Sequence, residues 1–247
     1  MRFFVGLHHP NVAGNFDSAF VSVNVLRNRK GPFPAREWIM DSGAFTTIAK
    51  HGCYPQPVSE YAAQIRRWKD NGKLLAAVSQ DYMCEPVMLA KTGLTVEEHQ
   101  RLTIERYDAL IDEDTGVYIM PVLQGYAPQE YVRHIRMYGD RLKPGMWVGV
   151  GSVCKRNARP FAIWRVLDDI LDERPDLKLH GFGLKKTSLE SPHIREMLHS
   201  ADSMAWSFAA RMEGRNGNDW REAKAFIENL AERITESVRQ TRLLCAL

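Results

Sequence analysis

The stretch Trp38-Ile39-Met40-Asp41-Ser42-Gly43-Ala44-Phe45 decides how this 247-residue chain is read. Three apolar residues make a short buried strand. A carboxylate, a hydroxyl and a glycine follow at once. Gly43 lets backbone come close to a ligand or simply turns the chain; Asp41 offers a charge or a proton acceptor. Taken alone, the turn is equally a strand stop and the mouth of a site.

The same unit recurs. Short apolar runs at Phe3–Leu7, Phe20–Val25, Trp38–Met40, Leu75–Ser79, Val117–Leu123, Met146–Val150, Leu177–Phe182 and Ser203–Ser207 alternate with amphipathic helical patterns. Helix starts are marked by Thr95 with Glu98 in capping-box spacing, by Ser59 as a cap, and by Pro128 and Pro192 at first helical positions. A long final helix, about residues 219–246, starts at Asp219 with the stripe Trp220, Ile227, Ile234, Val238. Arg27–Arg36 and Met212–Asn218 read as loops. Strand–helix alternation without a long linker predicts one α/β domain over residues 1–247 with a parallel sheet. About eight strands suit a (β/α)8 barrel; a doubly wound open sheet is the alternative.

Composition sets limits. Hydrophobic content of 45% and charged content of 26% are those of a soluble globular chain. No apolar run approaches the roughly 20 residues that span a bilayer, and the N-terminus lacks a signal-peptide core, so a cytoplasmic protein without membrane contact is expected. Cys53, Cys84, Cys154 and Cys245 are far apart, which argues against a zinc site or a disulfide framework. No metal and no cofactor is expected. Cys84 and Cys154 follow strands and so lie near any site there.

In a barrel, residues after each strand gather at one face. Collected there are Asp41, Ser42 and Gly43; Asp81 and Cys84; Gln124 and Gly125; Gly149, Gly151 and Ser152; Gly183 and Lys185; and Asp202. Cations follow the same turns: Arg27, Arg29 and Lys30, then Lys155, Arg156 and Arg159, then Lys185 and Lys186, then Arg211 and Arg215. With a formal net charge of only +3, cations placed around a mouth suggest a polyanionic partner. Phe33, Tyr54, Tyr82, Tyr126 and Trp206 near these turns suit base stacking or core packing.

These turns together resemble the tRNA-guanine transglycosylase superfamily, and most closely its DNA-modifying branch, the DpdA-like enzymes of bacteria and phages. Asp41-Ser42-Gly43-Ala44-Phe45 resembles the family's Asp-Ser-Gly-Gly-Phe motif, and Asp81 with Cys84 its Asp-x-Cys segment with one extra residue. Pro121-Val122-Leu123-Gln124-Gly125 is similar to its Gln-Gly-Gly turn, Val148-Gly149-Val150-Gly151 to its base-contacting glycine turn, and His180-Gly181-Phe182-Gly183 to the next strand. The order holds from about residue 38 to residue 211.

The resemblance implies a (β/α)8 barrel that exchanges guanine in DNA for a preQ0-type 7-deazaguanine through a covalent aspartyl-nucleotide intermediate. It implies Asp41 as acid/base, and Ser42, Gly43, Asp81, Gln124, Gly125, Gly149 and Gly151 as base-binding. Matching Arg211 to a family arginine puts Ala205 at the nucleophile position. Asp202 is the one carboxylate of that segment and takes the role. Arg27, Arg29, Lys30, Lys155, Arg156, Lys185, Lys186, Arg211 and Arg215 are the expected nucleic-acid contacts. The implied partners are DNA with a flipped-out or single-stranded guanosine and the free base, with room for a partner protein that opens the duplex. The family's C-terminal zinc cluster has no counterpart, which disfavours tRNA. Three other readings differ in their products: a tRNA transglycosylase, a binding homologue with a decayed site, and a small-molecule hydrolase.

Overall fold

The computed structural model describes residues 1–156 and 159–244, except the side chains of Lys155 and residues 236–244. Cys245 and the side chains of Lys155 and Val238 thus lie outside the described residues. Nine strands form the sheet: β1 (Arg2–Leu7), β2 (Ser18–Ser22), β3 (Glu37–Asp41), β4 (Lys73–Val78), β5 (Ile119–Met120), β6 (Val122–Leu123), β7 (Trp147–Val150), β8 (Lys178–Gly181) and β9 (Ser200–Ser203). Every paired neighbour is parallel, in the order β5-β4-β3-β2-β1-β9-β8-β7-β6.

β5 and β6 are one strand interrupted at Pro121, which has no N–H to give to a ladder. β5 pairs with β4 and β6 with β7, and the Pro121 carbonyl accepts the Gly149 N–H at 2.8 Å. The segment 119–123 therefore bridges the two ends of the sheet. Counted as one, it leaves eight strands that follow one another around a ring in chain order. This is a (β/α)8 barrel, and the doubly wound alternative, whose strand order reverses midway, is excluded. No C-terminal subdomain is present among the described residues.

Strand alternation decides what faces the axis. On β3, Trp38 and Met40 join the large core beneath the helices, while Ile39 joins a smaller core inside the ring with Phe4, Ala76, Val78, Met120 and Val122. Phe20, Trp147 and Phe182 pack onto that inner core. Asp41, two residues beyond Ile39, therefore faces inward one layer higher. On β9 the in-facing pair is Ser200 and Asp202, with Ala201 in the outer core. The barrel is apolar at its waist and carries carboxylates at the strand ends.

Several predicted boundaries shift. The strand placed at Ser203–Ser207 is instead β9, and Ala205–Met212 is a helix. β2 ends at Ser22, whose side chain caps the short helix Val23–Leu26 at 3.4 Å. Helix Val58–Trp68 starts behind Pro57, so Ser59 lies inside it and caps nothing. The Thr95–Glu98 capping box opens helix Val96–Asp112, and Pro128 and Pro192 open theirs. The last helix runs Trp220–Leu244, where the Asp219 carboxylate accepts the Arg221 N–H at 3.0 Å. Its Trp220, Phe226, Ile227 and Ile234 pack on the outer core. No helix of the described residues is long and apolar enough to cross a membrane.

Candidate active site

A cavity of about 460 Å³ opens at the strand-end face, and Asp41, Asp81 and Asp202 all line it. Its volume falls in the range of about 300–1,000 Å³ common for small-molecule sites. Gln124, Gly151 and Ser152 form one wall; Phe20, Phe45 and Phe182 supply apolar surface. Among the described residues, no lysine or arginine lines it.

Asp202 is buried and held from two directions. Its Oδ1 accepts the Gly183 N–H at 3.0 Å and a hydrogen bond from His180 Nε2 at 3.2 Å. Its own carbonyl accepts the Leu184 N–H at 3.0 Å, which fastens the turn after β8 to the end of β9. Donors of this kind suit a carboxylate.

The carboxyls of the other two aspartates are displaced upward. Burial, reinforced by the charge of Asp202, pushes the Asp41 carboxyl up to about 6, although Ser22 and the backbone N–H of Gly43 (3.2 Å) donate to it. Gly43 holds a left-handed φ of +70°, and a Cβ there would lie 2.4 Å from the Asn24 amide nitrogen. Burial likewise pushes Asp81 up to about 7, with Asp41 and Glu85 adding to the effect and Gln124 opposing it. Carboxyls displaced toward neutrality are suited to proton exchange.

Asp81 and Gln124 act as one unit. Gln124 Nε2 donates to Asp81 Oδ2, and Gln124 Oε1 accepts from Ser152 Oγ at 2.8 Å. Ser152 Oγ in turn accepts the Cys84 N–H at 3.1 Å, and Tyr54 donates to the Asp81 carbonyl at 2.9 Å. Gly151 makes the pair fit: a Cβ there would lie 2.1 Å from Gln124 Nε2. Gly151→Ala must swing the amide away, and overpacking of this sort costs about 1–3 kcal/mol. Thermal unfolding of the variant should show that loss, and its cavity should bind a purine base more weakly.

The remaining sequence expectations divide. Ser42 is buried behind the turn, with no hydrogen-bond partner for its hydroxyl among the described residues, and does not line the cavity. Gly149 does not line it either; the space its side chain would take is filled by the Phe182 ring, 2.3 Å from a built Cβ. Gly125 packs against Glu130 and Tyr131 of helix Pro128–Tyr138 rather than the cavity. Ala205, placed at the nucleophile position by motif matching, is the first residue of its helix and lines a neighbouring groove, not this cavity.

The expected cations lie in several different places. Loop Arg27–Arg36 descends the outside of the barrel. Phe33 exchanges hydrogen bonds with Asn71 (2.9 and 3.1 Å), and Arg67 donates to the Arg29 carbonyl. Both anchors lie where helix Val58–Trp68 leads into the start of β4, so Arg29 and Lys30 stand at the end opposite the cavity. Arg27 closes the helix Val23–Leu26 and does not line the cavity. Arg211 turns back to Ser207 of its own helix (3.0 Å). Lys185, Lys186 and Arg215 line a second cavity of about 930 Å³ that adjoins the first through Cys154, Gly183 and Met204. There Arg215 pairs with Glu213 and Glu222, and Lys186 bonds Asn229. Arg156 lies 4.6 Å over the exposed Tyr126 ring. Cys154 lines both cavities, whereas Cys84 is buried, its thiol pushed up by burial.

His180 was missed as a site residue although its segment was singled out. The available signal is its register: a polar residue two before in-facing Phe182 must point into the barrel. Arg106, which grips Gln80 Oε1 (2.9 Å) and stacks 4.3 Å over Tyr54, carries no signal in a solvent-patterned helix. Among the described residues, no group of three or more His, Cys, Asp or Glu is placed to hold a metal ion.

Fold and site together define an α/β-barrel protein whose strand-end cavity is lined by the carboxylates of Asp41, Asp81, Glu85 and Asp202. The family model "DpdA: DeoxyPurine in DNA protein A" matches residues 1–230, and the chain belongs to that family. Membership carries a DNA-guanine transglycosylase-type function with DNA as the substrate. A search of curated proteins returns no match.

Proposed function

We propose that this protein exchanges guanine in DNA for a preQ0-type 7-deazaguanine through a covalent intermediate on Asp202. The observation that carries the reading is the convergence of Asp41, Asp81 and Asp202 on one cavity of about 460 Å³. Each carboxylate has a different setting, and each setting suits a different task.

Breaking a deoxynucleoside bond builds positive charge at C1′, so a carboxylate must stand beside that carbon. Asp202, oriented by N–H donors, attacks C1′. The C1′–N9 bond breaks, and its electron pair leaves on the guanine. Asp41, raised to about 6, keeps a minor protonated fraction near neutrality, and that form gives its proton to the departing base. The resulting Asp41 carboxylate then takes the proton from the incoming 7-deazaguanine. That base attacks C1′ and displaces Asp202, which restores the enzyme.

Asp81 and the Gln124 amide read the base. The N1–H and exocyclic N–H donors of guanine match the acceptors of a carboxylate, and a 7-deazaguanine presents the same edge. Phe20 and Phe182 offer apolar faces to the ring. The 2′-deoxyguanosine is reached flipped out or in a single strand, and a partner protein that opens a duplex fits this requirement. Among the described residues, cations line the adjoining groove and not the base cavity, an arrangement that keeps phosphate outside and base inside. The test is incorporation of labelled guanine into single-stranded DNA, duplex DNA and tRNA. Incorporation into DNA is expected; incorporation into tRNA alone would replace this reading.

A further inference from the structure

The in-facing wall behind Asp202 contains a chain of three side chains that base exchange as outlined above does not use. Trp147 Nε1 lies 2.7 Å from Ser200 Oγ, Ser200 Oγ lies 2.8 Å from His180 Nδ1, and His180 Nε2 lies 3.2 Å from Asp202 Oδ1. His180 and Ser200 are fully buried. With a neutral imidazole the chain has one consistent direction. An indole N–H only donates and a carboxylate only accepts. Trp147 therefore donates to Ser200, Ser200 donates its hydroxyl hydrogen to His180 Nδ1, and the imidazole carries its hydrogen on Nε2, toward Asp202.

The ring is also clamped against rotation. It stacks on Phe20 at 5.6 Å and 14°, and Phe182 meets it edge-on at 4.9 Å and 62°. Both donors to the Asp202 carboxylate, His180 Nε2 and the Gly183 N–H, land on Oδ1. Oδ2 receives no hydrogen bond from any described residue.

We infer that His180 is the positioning residue of base exchange: fixed by Ser200 and Trp147, it pins Oδ1 of Asp202 and presents Oδ2 as the atom that bonds C1′. This rests on the base-exchange reading above. The step balances: the Oδ2–C1′ bond forms as C1′–N9 breaks, the electron pair leaves on guanine, and Asp41 supplies its proton. His180 gives and takes no proton; it acts through Asp202 alone.

The test compares His180→Phe, which keeps an aromatic ring and removes the donor, with His180→Gln, whose amide can still donate to Oδ1. Labelled-guanine exchange is measured as kcat and KM for single-stranded DNA, starting with the unaltered protein. His180→Phe is expected to lower kcat by roughly 10–100-fold, the scale seen when the orienting partner of a reactive group is removed. Its KM for DNA should stay within about twofold, since DNA binding is untouched. His180→Gln should recover most of kcat. Retention of full kcat by His180→Phe, or equal losses in the two variants, would overturn the assignment. Should His180→Phe fail to fold, Ser200→Ala decides: a several-fold fall in kcat at constant KM supports the chain, and an unchanged kcat overturns it. Failure of the base-exchange reading itself looks different, because the unaltered protein would then exchange nothing.

Discussion

Asp202→Asn is expected to fold normally, to bind guanine-containing DNA and to exchange essentially no base. The fold survives because asparagine Oδ1 still accepts from Gly183 and His180, the two contacts that hold the native side chain. Exchange fails because an amide cannot form the ester to C1′. Removal of a covalent nucleophile typically costs on the order of 10⁴-fold or more. Labelled-guanine incorporation measures the loss, and a DNA-binding titration shows that the protein is intact. Substantial exchange by Asp202→Asn would move the attack to Asp41 or Asp81.

Asp81→Asn is expected to change two properties in opposite directions. Guanine presents donors to this position, and asparagine offers one acceptor and an opposing NH₂ group. A mismatched buried polar contact of this kind should lower exchange on the order of 10³-fold. Stability should move the other way. The Asp81 carboxyl is pushed from its ordinary value to about 7 in the folded protein, mainly by burial. The folded state thus holds this proton more tightly than the unfolded chain. The native protein is therefore least penalised at low pH and loses stability as pH rises from about 4 through about 7, with Asp41 acting in the same sense over a slightly lower range.

Asparagine removes the Asp81 share of this penalty while Oδ1 still accepts from Gln124 Nε2. The gain should be on the order of 2 kcal/mol near pH 8, or about 4–8 °C in Tm for a chain of this size. Near pH 4 the two proteins should melt together. A variant no more stable than the native protein at alkaline pH would contradict the strain assigned to this carboxylate. The site would then be one in which function and stability do not compete.

How far the sequence reveals this site depends on where hydrophobic pattern carries information. Asp41 is legible because an alternating apolar strand leads straight into it and fixes its side. Asp81, Gln124 and Gly151 are legible for the same reason, each just past an apolar run. β9 is not: Ser200-Ala201-Asp202-Ser203 is mostly polar, its in-facing groups being satisfied by His180, Trp147 and Gly183 rather than by packing. The more apolar segment after it drew the strand three residues late, onto what is a helix. Ala205 takes the nucleophile position only through the match to Arg211, whereas Asp202 sits on the strand and lines the cavity. The cations illustrate a second limit. Arg29 and Lys30 follow a strand in sequence, but their loop runs down the barrel wall to Asn71, a path set by tertiary hydrogen bonds. Gly149 and Gly125 sit beside the site in sequence, yet they make room for Phe182 and Tyr131, a packing role that spacing does not reveal.

The most direct test is to incubate the protein with a guanine-containing single strand of DNA, quench under denaturing conditions, digest, and weigh the peptide that carries Asp202. Base exchange at this cavity predicts that peptide with a strand lacking one guanine attached through Asp202, and predicts that adding free guanine before the quench removes the adduct. Guanine exchange that proceeds with no adduct, or with the adduct on Asp41 or Asp81, would contradict it.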